Sequence, residues 1–320
     1  MPVNANKPER WKSDIAKSVD FYNDWFMRFA PKTYRDTRVE TTGQVVSALR
    51  LTDNLTNIGS EALKRNPSVL SILRMSTAPP IARDRLIGLA GVTSNLIRSM
   101  ERKQRIPPRM EEPRVDVELD EVGRVIRKLI DEDLFPWLGL NREPREEEVQ
   151  RAATVVADRL CGAVSDPIIR NAQEQRQLAT IKQWLENRGY IQVDEDDRAN
   201  FNTMEPGTFA FRLNISVKQE GRARQVNLPI DIVMTPLGAS VDDFPLLIEA
   251  KSAGDFTNTN KRRKEEATKI AQLRNTYGDD VRFVLFLCGY FDSGYLGYEA
   301  AEGIDWVWEH RIDDLAEFGV

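Results

Sequence analysis

Histidine is nearly missing from this sequence: His310 stands alone among 320 residues, and cysteine occurs only as Cys161 and Cys288. Two distant thiols and one imidazole cannot build a common structural zinc site, which takes four Cys or His ligands. Both cysteines lie in apolar surroundings, Leu160-Cys161-Gly162 and Leu287-Cys288-Gly289, and read as buried free thiols. A Ser–His or Cys–His catalyst would have to use His310, in Trp308-Glu309-His310-Arg311. No Gly-x-Ser-x-Gly elbow supplies a nucleophile, and no Gly-x-x-x-x-Gly-Lys loop cradles a triphosphate. His310 is therefore read as structural or surface-lying. No run of about 18 apolar residues exists, so no membrane-spanning helix is expected. The opening Met1-Pro2-Val3-Asn4-Ala5-Asn6-Lys7 lacks the apolar segment of a secretory signal, so a cytoplasmic location is expected. What remains for chemistry is carboxylate, lysine and a metal ion.

With 41% hydrophobic and 30% charged residues, the composition is that of a globular chain, long enough for one large domain or two ordinary ones. A net charge of -5 argues against binding nucleic acid by bulk charge, but not against a basic groove on an acidic body.

Residues 1 to about 165 read as helices. Trp11, Ile15, Val19, Phe21, Tyr22, Trp25, Phe26 and Phe29 recur at helical spacing between Glu9 and Phe29. Patterned segments follow at Gln44–Leu55, Pro67–Met75, Ile81–Met100, Glu118–Ile130 and Arg145–Val164. Glu101–Arg114, charged and carrying three prolines, reads as an internal linker. Asp166-Pro167 looks like a helix start, with the helix running through Ile168–Arg188 to Gly189. A β-rich block comes next. Thr208–Val217 is predicted to set Phe209, Phe211, Leu213, Ile215 and Val217 on one face, ahead of a turn at residues 218–221. Val226–Met234 and Pro245–Ala250 are two more strands, Asn260–Tyr277 a polar, basic helix, and Arg282–Cys288 a strand buried on both faces. Ile304–Phe318 adds a strand and a short helix. The expectation is a helical region over 1–165, acting as a clamp or dimerisation element, and an α/β unit over 166–320 ordered helix, three strands, helix, strand.

The chemistry concentrates in Pro229-Ile230-Asp231 and Glu249-Ala250-Lys251. Side chains alternate along a strand, so Glu249 and Lys251 share a face while Leu246, Ile248 and Ala250 take the other. Asp231 opposes the face of Leu228, Ile230 and Ile232, and the loop at 235–243 lets the two strands pair. Two carboxylates that close repel unless a cation lies between them, and oxygen ligands with open water positions favour magnesium. The set suits attack by metal-activated water on a phosphodiester, with Lys251 orienting the water or stabilising charge. Glu-x-Lys by itself is an ordinary surface pair. The apolar run Phe244–Ile248 before it, the second acid one strand earlier and the basic helix after it outweigh that reading.

These segments, Leu228–Val233, Leu247–Asp255 and the helix through Lys269, resemble the PD-(D/E)xK nuclease superfamily, and more narrowly XamI-type restriction endonucleases. The resemblance covers about residues 166–290 and departs in one place: Pro-Ile-Asp stands where the superfamily name has Pro-Asp, leaving Asp231 as the metal ligand. It implies an αβββαβ core with a mixed sheet, matching the order read above. It also implies Mg2+-dependent hydrolysis of double-stranded DNA leaving 5′-phosphates, and a target of the GTCGAC type. An acid on the helix before the strands is implied too, with Glu174 as the candidate and Glu265 on the following helix ranked below it. A homodimer is expected, since two-fold DNA sites mirror protein two-fold symmetry, and a cognate DNA methyltransferase is the expected functional partner.

Asn258, Asn260, Lys261, Arg262, Arg263 and Lys264 form the candidate DNA contact. Cations neutralise phosphates, and arginine and asparagine can read base edges. Four cations at a helix N-terminus oppose its dipole, which favours a polyanionic partner over a merely solvated helix start. The acidic run at 194–197 and Asp242-Asp243 read as solvated loops. The cluster Tyr290, Phe291, Tyr295, Tyr298, Trp306 and Trp308 reads as core or dimer packing rather than base stacking. Two alternatives stand: a repair or junction-cleaving nuclease on the same core, and a DNA-binding module without chemistry.

Overall fold

A computed structural model describes residues 2–193, 201–218, 225–240, 243–257 and 259–320, without the side chains of residues 202 and 259–262. Contacts divide the chain into two compact units, Ala30–Ile169 and Met1–Phe29 with Arg170–Val320.

The Ala30–Ile169 unit is helical, as expected. It contains the end of α1 (Pro8–Leu51), then α2 (Ser60–Arg65), α3 (Leu70–Met75), α4 (Arg83–Ala90), α5 (Ser94–Lys103), α6 (Glu112–Leu129), α7 (Pro136–Leu140) and the start of α8 (Glu146–Glu186). In α6, Val115, Leu119, Val122 and Ile126 recur at helical spacing and are buried, each contributing roughly 1.5–3 kcal/mol. Gly123 is required there, since a Cβ would lie 2.4 Å from the Ile58 carbonyl oxygen.

Three sequence expectations change in this region. The segment read as a linker is part of the unit: Ile106 and Met110 pack on its core, and Pro113 sits in the first turn of α6, where its missing N–H costs nothing. Ile81–Met100 is two helices, parted at Gly91 in the left-handed conformation (φ 64). Arg145–Val164 and Ile168–Arg188 are one helix, with Pro167 inside α8, and Pro31 likewise lies inside α1. An interior proline costs about 3 kcal/mol. Apolar burial on both sides of Pro167, Val156 and Leu160 before it and Ile181 and Leu185 after it, offsets that cost.

The other unit is built on a six-stranded mixed sheet ordered β1 (Ile191–Gln192), β2 (Thr208–Lys218), β3 (Gln225–Thr235), β4 (Leu246–Ala253), β5 (Arg282–Gly289) and β6 (Asp305–Trp308). The β2–β3 and β3–β4 pairs are antiparallel and the remaining pairs parallel. The order α8, β2, β3, β4, α9 (Thr259–Tyr277), β5 is the expected αβββαβ core, followed by α10 (Ser293–Ala301), β6 and a 3-10 turn region. Leu178, Ile181 and Leu185 of α8 pack with Ile232, Ile248 and Phe286 on one face. Ile270 and Leu273 of α9 pack with Leu247, Leu285 and Trp306 on the other.

The first 29 residues belong with this sheet rather than with the helical region they precede in sequence. Their aromatic face finds its partner here: Trp11 meets Trp306 edge-on at 5.5 Å. The Asp305 carboxylate accepts the Val3, Asn4 and Ala5 amides.

Strand β2 does not keep one face throughout. Phe209 and Phe211 pack with the α8 side, whereas Leu213, Ile215 and Val217 pack with the α9 side. The change falls at Arg212, whose φ is 53, between the ladder pairs Phe211↔Ile232 and Leu213↔Ile230. A non-glycine residue in the left-handed region turns the strand over, so the alternation reverses there. Strand β3 reverses with it: Ile230 joins the α9 side and Ile232 the α8 side.

Candidate active site

Asp231 lies across from Arg212, at the point where β2 and β3 reverse. The β3–β4 ladder covers Ile232↔Ile248, Val233↔Leu247 and Met234↔Leu246, and stops there. β4 continues along β5 as far as Ala253↔Gly289. Where β3 and β4 part, Asp231 Oδ2 accepts the Ala250 amide at 2.9 Å. Glu249 and Lys251 share the face turned to α9, as alternation requires. Lys251 Nζ donates to Glu249 Oε1 at 2.9 Å. Behind them Gln177 of α8, itself buried, donates to the carbonyl oxygens of Lys251 and Phe286, both at 3.3 Å, tying β4 to β5.

A second lysine enters from α9. Lys269 Nζ also donates to Glu249 Oε1, and at 3.3 Å to the Pro229 carbonyl of β3. Both cations therefore use one oxygen of Glu249. The other, Oε2, is buried with no partner among the described residues. Burial, and then the charge of Glu249, push the Asp231 carboxyl up to about 6. Burial works against the Lys251 charge, but Glu249 outweighs it and holds the ammonium above its usual range.

Two more acids lie in the same region. Glu266 is buried, and its Oε2 accepts the Tyr295 hydroxyl at 2.6 Å. Glu299 is fully buried, and among the described residues only the Glu266 carboxyl stands as a hydrogen-bond partner to its oxygens. Burial, then the neighbouring Glu266, raise its carboxyl to about 9, while burial raises that of Glu266. Two acids so placed retain a proton between them.

Glu174 Oε1 pairs with Arg212 at 2.7 Å. Among the described residues no three His, Cys, Asp or Glu side chains are gathered as for a metal ion. Glu265 is exposed, while the next residue, Glu266, faces inward, a step of about 100° around the helix. Asn258 lies outside the described residues, as do the side chains of Asn260, Lys261 and Arg262. Arg263 stands over the Tyr298 ring at 4.7 Å, and Lys264 is exposed. The acidic run at 194–197 and Asp242 also lie outside the described residues, while Asp243 accepts the Ser240 amide within its loop. Cys161 and Cys288 are buried free thiols, as expected. His310 is partly buried against Trp308. Phe291, Tyr295, Trp306 and Trp308 are core residues.

Lys269, Glu266 and Glu299 were not singled out from sequence. For two of them a signal existed. Glu266, Lys269, Ile270 and Leu273 follow the i, i+3, i+4, i+7 spacing of one helix face, so the two charges share the stripe whose apolar members are buried.

A bare, buried Glu249 oxygen beside a carboxylate that resists ionisation is a donor set that fits a hard divalent cation.

The model of the XamI restriction endonuclease family matches residues 53–308. The type II restriction enzyme SalI of Streptomyces albus G is 55% identical over 319 residues, covering 99% of both chains. Among solved structures, protein VC1899 from Vibrio cholerae aligns over 86% of this chain and 55% of its own, with 12% identity and a TM-score of 0.29, too low to carry any structural argument.

Proposed function

The chain belongs to the XamI restriction endonuclease family, and from that premise we propose that Asp231, Glu249 and Lys251 are its catalytic residues. It is a type II restriction endonuclease, an enzyme that cuts double-stranded DNA. The observation that carries the site assignment is the convergence of Asp231 and Glu249 where β3 and β4 part, with Lys251 on the same carboxylate.

Asp231 and Glu249 Oε2 are the atoms that would hold a divalent cation, with Mg2+ the reading favoured by an all-oxygen donor set. Bound there, it would polarise the phosphoryl oxygen and lower the pKa of the attacking water. Lys251 supplies a fixed positive charge, held by Glu249, to orient that water and to stabilise charge developing on the phosphate. The Ala250 amide and the Gln177 bridge fix Asp231 and the Lys251 backbone, so the groups need little reorganisation during the reaction.

The 5′-phosphate ends and a GTCGAC-type target are read from the family resemblance, the homodimer from the two-fold symmetry of such DNA sites, and the cytoplasmic setting from the lack of a secretory signal pattern; a DNA methyltransferase is the proposed functional partner. Arg263 and Lys264, with Asn258, Asn260, Lys261 and Arg262, are the proposed DNA contacts. The helical region is the proposed clamp or dimerisation element. For the metal shell, Glu174 takes part only by leaving Arg212.

The test is cleavage of a plasmid carrying GTCGAC with Mg2+. Wild type should give discrete fragments. Lys251→Ala and Asp231→Ala should reduce cleavage by about a thousandfold or more, as loss of several kcal/mol of transition-state stabilisation requires, while DNA binding survives. Cleavage at the wild-type rate by either variant would refute the assignment.

A further inference from the structure

The sequence motif names one lysine, but the site holds two. Lys251 and Lys269 both donate to Glu249 Oε1, and Lys269 also reaches the Pro229 carbonyl across the gap between β3 and β4. Its side chain is 19% exposed and that of Glu249 5%, so the pair is sheltered from water. Asp231 and Glu249 face two ammonium groups, with the buried Glu266 as a further acid near Lys251. A dication added to that set brings an excess of positive charge into a weakly screened site, where such an excess is costly. Of the two lysines, Lys251 lies on the same strand as Glu249. Lys269 reaches it from a different element on a long, flexible stem, and so is the cation that can leave.

Resting on the catalytic reading above, we propose that Lys269 is a positioning residue that neutralises Glu249 through Oε1 in the metal-free protein and draws back when a divalent ion binds at Oε2. It holds the β3 and β4 edges at their working separation through Pro229 and Glu249. It also keeps the two acids from repelling each other until the metal arrives. A divalent ion held there would free the Lys269 ammonium to face the anionic substrate. A lysine serving only to anchor α9 would strengthen the site, and its removal could only weaken metal binding. A lysine competing with the metal predicts the opposite sign.

The experiment is a titration of the full-length protein with Mn2+ alone, without DNA, following free Mn2+ by electron paramagnetic resonance. Lys269→Met should bind Mn2+ about tenfold more tightly than wild type, equivalent to ~1.4 kcal/mol. Lys269→Arg should restore wild-type affinity. Lys269→Gln, which keeps a donor for Glu249 without the charge, should follow Lys269→Met and serves if the methionine variant does not fold. Thermal melts by circular dichroism establish that each variant is folded. Unchanged or weaker Mn2+ binding by the folded, uncharged variants overturns the inference. Asp231→Asn and Glu249→Gln separate this failure from that of the catalytic reading. If both lose Mn2+ while Lys269→Met gains nothing, the Lys269 inference alone is wrong. If both bind Mn2+ like wild type, the metal site itself is misassigned and the inference falls with it.

Discussion

Buried acids are treated differently in the two units: the sheet unit matches some, as Asp14 with Arg311 and Glu309 with Arg176, but leaves others without donors. In Ala30–Ile169 each one is matched by donors. Glu101 takes Arg74 on one oxygen and Arg83 on the other. Glu118 takes Arg114 on one, and the Thr93 amide and hydroxyl on the other. Asp131 takes Arg159 and the Leu134 amide. In the sheet unit Glu249 keeps a bare oxygen, Glu299 faces only another acid, Glu266, and Asp231 sits beside Glu249 at the cost of a raised pKa. A satisfied carboxylate contributes to stability, whereas an unsatisfied one costs it and persists where chemistry needs the charge. Burial alone does not separate the two kinds; the inventory of donors does.

The largest effect should come from exchanging the same kind of change between units. Asp231→Asn should lower cleavage about a thousandfold or more, through loss of charge at the reacting phosphate. Its urea unfolding midpoint at pH 8 should be unchanged or higher, because a carboxyl that resists ionisation has been replaced by a neutral isostere. Glu101→Gln should do the reverse, losing about 2–3 kcal/mol of stability as two arginines lose their partner, with cleavage per folded molecule intact. If Asp231→Asn unfolds the protein, or Glu101→Gln spares it, the contrast is broken.

A smaller effect is the pH dependence of Glu299. Its folded carboxyl is raised to about 9 by burial and Glu266, so between the unfolded value, about 4.3, and that point the folded state binds the extra proton. Stability is therefore fullest below the unfolded value and declines as pH rises toward 9. Glu299→Gln should flatten this decline, measured as unfolding midpoints at pH 6 and pH 9. An equal fall in both proteins would remove Glu299 from the account.

The smallest effect has the opposite sign. Burial alone would raise the Glu118 carboxyl, but the Thr93 and Arg114 donors outweigh it and hold it below the usual range. Its contribution is present above the unfolded value and is lost as pH falls through the folded one. Glu118→Gln should narrow the gap between melting temperatures at pH 6 and pH 3. A gap as wide as in wild type would show that the donors do not act through the charge.

Much of the nuclease core was legible because its signals are local. Alternation over Leu246–Lys251 sets Glu249 and Lys251 on one face whatever surrounds them, and the order of helix and strand follows from periodicity and punctuation. Local rules failed where a distant partner decided. Asp166-Pro167 has the chemistry of a helix start, yet apolar burial on both sides carries α8 through it. The alternation of β2 looks unbroken on paper, but Arg212 turns the strand over because each half packs against a different helix. Leading residues that precede a helical region in sequence joined the sheet because Trp306 and Asp305 lie there.

The sequence by itself determined the identity and spacing of Asp231, Glu249 and Lys251, the αβββαβ order and the scarcity of histidine and cysteine, since these are properties of short segments and of composition. Only the tertiary structure decided that β3 and β4 part at Asp231, that Lys269 reaches Glu249 from another element, that Glu266 rather than Glu265 turns inward, and that Glu174 meets Arg212. Such pairings join residues up to tens of positions apart. Their energy depends on distance and burial, which no short stretch of chain contains.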